Sequence, residues 1–421
     1  MISSKKGLLM KRLIKPSAVN GTVRAPASKS VAQRAIAIAS LADGQSEIFN
    51  VGNSEDVRAA IRVCRSLGVN IQEESDKLII YGGIKSCRES INCGESALGI
   101  RIFSVIAATL NNPVTLIGEG SLLKRPMSIV EQAIKSLGAQ CQTNNGLLPI
   151  TVLGPINGGK CQIDGSISSQ VLTGMLIAAP LAQQDLIIEV QNLKSRPYID
   201  LTIETMHAFG VMVENQDYKI LTVKYRQSYK PTRFSVEGDW SGAAFLLVAG
   251  AIAGSVRIEN LRPMSKQADR SVIEVLLQIG AKVSIFEDAI EVRRNELNAF
   301  HFDATHCPDL FPPLVALAAH CKGETRILGV SRLRSKESDR GQTLQQEFAK
   351  LGISIDIEGD LMRIHGDQVN GGKVKSHGDH RIAMACAVAA LAGNGEVEID
   401  DAEAIEKSYP DFFKDLASVQ T

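Results

Sequence analysis

Aromatic side chains are scarce in this 421-residue chain, at 5% of positions with a single tryptophan, Trp240, so alanine, isoleucine, valine and leucine must fill the interior. Net charge is missing as well: 46 Lys and Arg balance 46 Asp and Glu. That excludes polyanion binding by bulk electrostatics, and no nucleic-acid partner is expected. No apolar stretch approaches the roughly 20 residues that cross a bilayer, so no membrane partner is expected either. The opening MISSKKGLLM lacks the long apolar core and small-residue cleavage site of a secretory signal, which points to a cytoplasmic protein, with Met10 an alternative start. Eight cysteines show no CxxC and no recurring spacing, so buried, reduced thiols are expected rather than disulfides or a metal site.

What the chain does have is repetition. Six Ala-rich runs, from VAQRAIAIASLA to RIAMACAVAALA, are followed by Asp43, Asn111, Gln183, Gly254, Lys322 and Gly393, at steps of 68, 72, 71, 68 and 71. A second series of apolar stretches closes on Gly68, Gly138, Gly210, Gly280 and Gly352, at steps of 70, 72, 70 and 72. Two registers kept together over five cycles predict six copies of a unit of about seventy residues, the last cut short at Thr421. Each unit reads as an apolar helix, a short strand such as SEIFNV or PVTLIG, an amphipathic helix such as SEDVRAAIRVCRSLG, and a β pair. The terminal glycine is placed for a left-handed C-terminal cap. Helices that are apolar nearly all round belong inside, with the amphipathic ones outside. Six buried helices do not fit one core, so two domains of three units each are expected. Residues 28–236 form one; 1–27 and 237–421 form the other, with the crossing at VEGDWSGAAF.

The starts of the apolar helices are polar: Ser28-Lys29-Ser30, Gly94-Glu95-Ser96, Ser166 to Gln170, Gly238-Asp239, Pro308-Asp309 and Gly378-Asp379-His380-Arg381. Parallel helices would gather these ends on one face of each domain, where free N–H groups favour anions. Cations collect at the same or neighbouring joints: Lys29, Arg34, Arg101, Lys124, Arg125, Arg196, Lys336, Arg340, Arg381 and Lys407. A neutral protein with that distribution is suited to small, multiply charged anions, each charge-assisted bond contributing roughly 1.5–3 kcal/mol.

The motifs SKSVAQRA, DGSISSQ, SRPYID, PDLFPP, KESDR, GDHRIAMA and KSYPDFF occur in the order of the 5-enolpyruvylshikimate-3-phosphate synthase family, and the resemblance spans nearly the full chain. It implies an α/β fold, a two-domain inside-out α/β barrel-like fold of six βαβαββ repeats, three per domain, with the active site in the cleft between them. It also implies transfer of the enolpyruvyl group of phosphoenolpyruvate to the 5-hydroxyl of shikimate 3-phosphate in chorismate and aromatic amino-acid biosynthesis. These two small molecules are the expected partners, with no cofactor, no metal and a monomeric enzyme. By the same resemblance Lys29, Ser30, Arg34, Ser168, Ser169, Gln170, Ser195, Tyr198, Asp309 and Lys336 bind shikimate 3-phosphate. Lys29, Ala97, Arg125, Gln170, Arg340, Arg381 and Lys407 bind phosphoenolpyruvate. Asp309 is the base on the attacking hydroxyl and Glu337 the acid that protonates the vinyl CH₂, with Lys29 completing the catalytic set; Arg101, Arg332 and His380 are further candidates.

The second apolar helix departs from the family's Gly-Asn-Ala-Gly-Thr followed by Arg-Pro. Here GESALGIRIF puts Glu95 for the Asn, Ala97 for the second Gly, Leu98 for the Thr and Ile102 for the Pro. The methyl of Ala97 would crowd a ligand longer than phosphoenolpyruvate, so low sensitivity to glyphosate is expected. The related UDP-N-acetylglucosamine enolpyruvyltransferases carry a loop cysteine that IGEGSLLKRP lacks, and a non-catalytic homologue would have no use for Lys29, Asp309, Glu337 and Lys407 together. GPINGGKC matches part of a P-loop but has Cys161 in the Mg²⁺-binding position and lies between strand-like stretches, which predicts a hairpin turn. HFDATHC reads as an ordinary loop, and Trp240 as packing at the domain crossing.

Overall fold

The computed structural model describes residues 10–84, 89–166 and 169–421. Two compact units divide the chain: Ala27–Gly238 with Lys266–Ala268, here the first unit, and the remainder, the second unit.

Among the described residues the strands form six sheets. In the first unit, Ser90–Asn92 runs parallel to Val114–Ile117, which is antiparallel to Leu147–Leu153, which in turn pairs with Gln140–Asn144. The order repeats for Gly159–Asp164, Leu186–Gln191, Ile220–Val223 and Glu214–Gln216. A parallel pair needs a long crossover, and the apolar helices supply it. Ala97–Ala107 joins Ser90–Asn92 to Val114–Ile117, and Ser169–Ala178 lies between Gly159–Asp164 and Leu186–Gln191.

Two of the sheets borrow their first strand. Val19–Arg24 precedes the helix Lys29–Leu41 in sequence, yet it pairs with Gly254–Glu259 in the second unit. Arg233–Ser235 precedes Trp240–Ala253, yet it pairs with Gln45–Phe49 in the first. The shortened sixth repeat is completed from the other end of the chain: Arg12–Ile14 lies antiparallel to Val397–Asp400, where other repeats place a hairpin strand. The GPINGGKC stretch is corrected as well. Residues 154–158 link two different sheets instead of turning a hairpin, because Leu147–Leu153 is already paired on both edges. In HFDATHC, His301–Asp303 is a strand parallel to Gly323–Leu328 rather than loop.

The apolar helices are interior. Every residue of Ala97–Ala107 is buried, and of Trp240–Ala253 only Ser241 is not. Ala97–Ala107 packs against both Lys29–Leu41 and Ser169–Ala178; in the second unit Trp240–Ala253, Phe311–Ala318 and His380–Ala390 pack mutually. Gly174 permits one close approach, since a Cβ there would stand 2.6 Å from the Arg101 carbonyl oxygen. The amphipathic helices end alike. Gly68, Gly138, Gly210, Gly280 and Gly352 all have φ between 82° and 92°, and the residue after each returns its N–H to the helix, as Val69 does to the Cys64 carbonyl at 3.1 Å. This is the Schellman closure, repeated five times.

Candidate active site

In the first unit the starts of the three inner helices are tied together by polar side chains. Ser96 caps its own helix by accepting from the Gly99 N–H and donates to Gln33 Oε1 at 2.7 Å. Arg101 reaches back one turn to the Ala97 carbonyl (3.0 Å) and across to Gln170 Oε1 (2.9 Å). Arg34, 1% exposed, donates to Thr202 Oγ1 (2.9 Å), to the Ser30 carbonyl (2.7 Å), to the Tyr198 carbonyl (3.2 Å) and to Thr173 Oγ1 (3.4 Å). Every one of these acceptors is neutral. Burial pulls Arg34 down to about 10 despite the nearby Tyr198. Arg101 falls to about 10 through burial and then through the adjacent positive charge of Arg125, itself buried. Guanidiniums buried against neutral oxygens and against each other are poised for an anion.

Lys29, the first residue of its helix, makes a 2.9 Å ion pair with Asp56 in the first turn of Glu55–Ser66. Ser30 and Tyr198 are placed by Arg34, which holds both of their carbonyls. Ser169 opens its helix and is buried, and Ser195 is buried with φ of 58°, a left-handed conformation uncommon outside glycine. Ser168 lies outside the described residues. Lys124 and Arg196 are exposed, and Arg196 stacks over the Tyr218 ring at 5.4 Å. Glu95 turns to the 3₁₀ turn Gly120–Lys124, where Ser121 donates its N–H and its hydroxyl to Oε2, both at 3.0 Å. Its carboxylate thus serves as a local anchor for the segment leading into Arg125.

The second unit gathers acids and cations in one network. Asp309, in the 3₁₀ turn Pro308–Leu310, accepts from Lys336 Nζ (3.2 Å) and Arg340 Nη1 (2.9 Å) on Oδ1, and from Arg381 Nη2 (3.2 Å) on Oδ2. Arg340 also donates to Glu337 Oε2 (2.7 Å) and grips Asp379 through Nε (2.9 Å) and Nη2 (3.1 Å). Lys407 Nζ stands 3.8 Å from the other Glu337 oxygen. Burial alone would raise the Asp309 carboxyl, but Arg381, Lys336 and Arg340 outweigh it and hold it well below the ordinary range. At Lys336 burial prevails: it lowers the ammonium even though Asp309 opposes this, and Arg340 and then Arg332 add to the lowering. Arg332 sits in the turn Val330–Leu333. His380 opens its helix, buried, with Nδ1 3.9 Å from Asp379 Oδ1.

Sequence reasoning left out three acidic partners that the structure supplies. Asp56 and Asp379 neutralise Lys29 and Arg340. Asp269, 1% exposed, accepts from the Ser241 hydroxyl on Oδ2, while its Oδ1 has no hydrogen-bond partner among the described residues. Burial, then the negative charge of Asp309, push this carboxyl up to about 7. The polar start GDHR was a signal for Asp379, whereas Asp56 and Asp269 lie in stretches that resemble any solvated helix start. Among the described residues no cluster of three His, Cys, Asp or Glu could hold a metal, and no helix is long and apolar enough to cross a membrane.

The chain is similar to known proteins over nearly its whole length. The profile of EPSP synthase, 3-phosphoshikimate 1-carboxyvinyltransferase, matches residues 13–416. The chain is 39% identical over 417 residues to a 3-phosphoshikimate 1-carboxyvinyltransferase of Clostridium perfringens, with 98% of each chain covered. It is 38% identical over 413 residues to the one of Methanocorpusculum labreanum, covering 97% of this chain and 98% of that one. A solved EPSP synthase from Acinetobacter baumannii superimposes with a TM-score of 0.83 at 26% identity, covering 98% of both chains.

Proposed function

The chain belongs to the EPSP synthase family, the 3-phosphoshikimate 1-carboxyvinyltransferases, and from that premise we propose how its two sets of side chains divide the work. It transfers the enolpyruvyl group of phosphoenolpyruvate to the 5-hydroxyl of shikimate 3-phosphate and releases phosphate. The first unit seats shikimate 3-phosphate: Lys29, Ser30, Ser168, Ser169 and Ser195 at its phosphate, Gln170 and Tyr198 along its ring, with Arg34 supplying buried positive charge. Arg125, Arg340, Arg381 and Lys407 clamp phosphoenolpyruvate, with Arg101 behind Gln170.

The observation that carries this division is the crowding of Lys336, Arg340 and Arg381 onto one carboxylate, Asp309. In the free protein those cations keep Asp309 ionised and make it a weak base. Arriving phosphate and carboxylate groups share the same cations, relieve the pull on Asp309 and raise its basicity at the moment the 5-hydroxyl must give up its proton. Glu337, three residues before Arg340 and within reach of Lys407, is assigned as the acid: once it carries a proton, it delivers that proton to the methylene carbon and leaves C2 electrophilic. Arginine and lysine then hold the departing phosphate, the role a metal fills elsewhere. We assign a monomer working in the cytoplasm.

Phosphate release measured with both substrates tests the reading. Release should require shikimate 3-phosphate and should be absent with UDP-N-acetylglucosamine in its place. Turnover with the latter alone would overturn it.

A further inference from the structure

Glu347 is 1% exposed and lies seven residues beyond Arg340 on the helix Arg340–Lys350, two turns along the same face. Its two oxygens are fully used. Oε1 lies 2.7 Å from His377 Nε2, Oε2 accepts the Lys375 backbone N–H at 2.8 Å, and Lys350 Nζ reaches both, at 2.8 and 2.7 Å. Lys375 and His377 belong to the segment that delivers the next helix, His380–Ala390, with Asp379 as its cap and Arg381 in its first turn.

That segment is sharply bent. His377 (φ 55°) and Gly378 (φ 69°) are both left-handed, and only the second is glycine. A histidine in this region persists where the surroundings fix it. Backbone bonds from Ser376 to the Asp400 carbonyl (3.0 Å) and from Asp379 to the Ser376 carbonyl (3.0 Å) shape the bend, and the His377–Glu347 contact pins its apex. The helix therefore holds the segment at two points: Glu347 takes His377 and the Lys375 N–H, and Arg340 takes Asp379.

We propose that Glu347 and His377 are positioning residues for the phosphoenolpyruvate clamp, forming a clasp that sets Asp379 against Arg340 and so aims Arg381. Neither touches Asp309 or Glu337; they act through the bend. This rests on the reading of Arg340 and Arg381 as phosphoenolpyruvate ligands.

The test uses His377→Asn, which tolerates a left-handed backbone but is too short to reach Glu347, and His377→Gln, which restores an N–H donor of similar reach. Glu347→Gln is a second lesion from the other side. KM for each substrate, kcat and Tm are measured on the full chain, and hydrogen exchange is followed over 376–382. The clasp predicts that His377→Asn and Glu347→Gln raise KM for phosphoenolpyruvate about tenfold, the order expected for one charge-assisted bond, and leave KM for shikimate 3-phosphate within about twofold. Exchange over 376–382 should accelerate, and His377→Gln should restore most of the loss. The proposal is overturned if both KM values rise together, if neither moves, or if His377→Gln is as impaired as His377→Asn. Arg381→Lys, measured alongside, separates the two levels. An unchanged KM for phosphoenolpyruvate in that variant defeats the assignment of the clamp, whereas a raised one beside silent clasp variants defeats the clasp alone.

Discussion

In the first unit the guanidiniums of Arg34 and Arg101 donate to hydroxyl, amide and peptide oxygens, whereas in the second Arg340 and Arg381 donate to the carboxylates of Asp309, Glu337 and Asp379. Arg34, Arg101 and Arg381 are buried near the starts of inner helices built on the same repeat, and Arg340 is buried at the start of the amphipathic helix Arg340–Lys350. A buried charge without a counter-ion is costly, and a bound anion recovers that cost as affinity. A buried charge matched by carboxylates is already settled, and its worth lies in where it holds those carboxylates. On the proposed reading the first set is a seat for an anion, and the second aligns acids and bases with cations that it shares with phosphoenolpyruvate.

The largest effect expected on this contrast comes from the second unit. Asp309→Asn keeps the shape and removes the base, and should lower kcat by about 10²–10⁴-fold with little change in shikimate 3-phosphate binding; steady-state kinetics and a thermal-shift titration measure the two. Next, Arg340→Met abandons Asp379, which is fully buried, and should cost roughly 3–5 kcal/mol of stability in denaturant unfolding. Arg34→Met should lose less stability yet abolish the ligand-induced stabilisation, about 2.7 kcal/mol at a hundredfold excess over Kd, that shikimate 3-phosphate gives the parent. Equal losses of stability in the two variants would erase the contrast.

A smaller change is expected at Ala97, buried at the head of its helix. Ala97→Gly removes one methyl and should strengthen glyphosate inhibition about tenfold, read as Ki against phosphoenolpyruvate, with the parent weakly inhibited. The last prediction concerns Asp269. Its folded-state carboxyl is raised to about 7, so the folded protein holds that proton more tightly than the unfolded chain. The stability it contributes is complete below the unfolded value near 4 and is lost as pH rises toward 7. Asp309 has the opposite sign: its contribution is present above about 4 and lost as pH falls through its depressed value. Asp269→Asn should therefore flatten the stability profile between about pH 4 and 7 and leave the more acidic limb intact.

The repeat was readable because its marks are local. Gly68 and its four counterparts sit where only a left-handed residue closes the helix, and Ala-rich runs without a polar face must be interior. The cations were readable for a related reason, since Lys29, Arg101 and Arg381 stand where an apolar helix has no packing use for charge. Their partners were not readable. Asp56 and Asp269 reach Lys29 and Ser241 from 27 and 28 residues away, and nothing in their own neighbourhoods marks them. The exchange of Val19–Arg24 and Arg233–Ser235 between sheets entered the sequence reading only as domain bounds, with 1–27 set beside 237–421; the strands they pair with were silent, because each still stands directly before the apolar helix its repeat calls for. Glu95, which stands for the family's Asn, finds its donors in the Gly120–Lys124 turn, and nothing beside it in the sequence marks them.

That exchange gives the molecule a timetable. On a ribosome the sheets of the first unit have all their strands once residue 235 has emerged, and only Lys266–Ala268 remains to be added. The opening strands have no such luck: Val19–Arg24 waits for Gly254–Glu259, and Arg12–Ile14 waits for Val397–Asp400, nearly the whole length of the chain later. The end that is made first is thus the last to find its place, and during that interval its exposed strand edges need shielding.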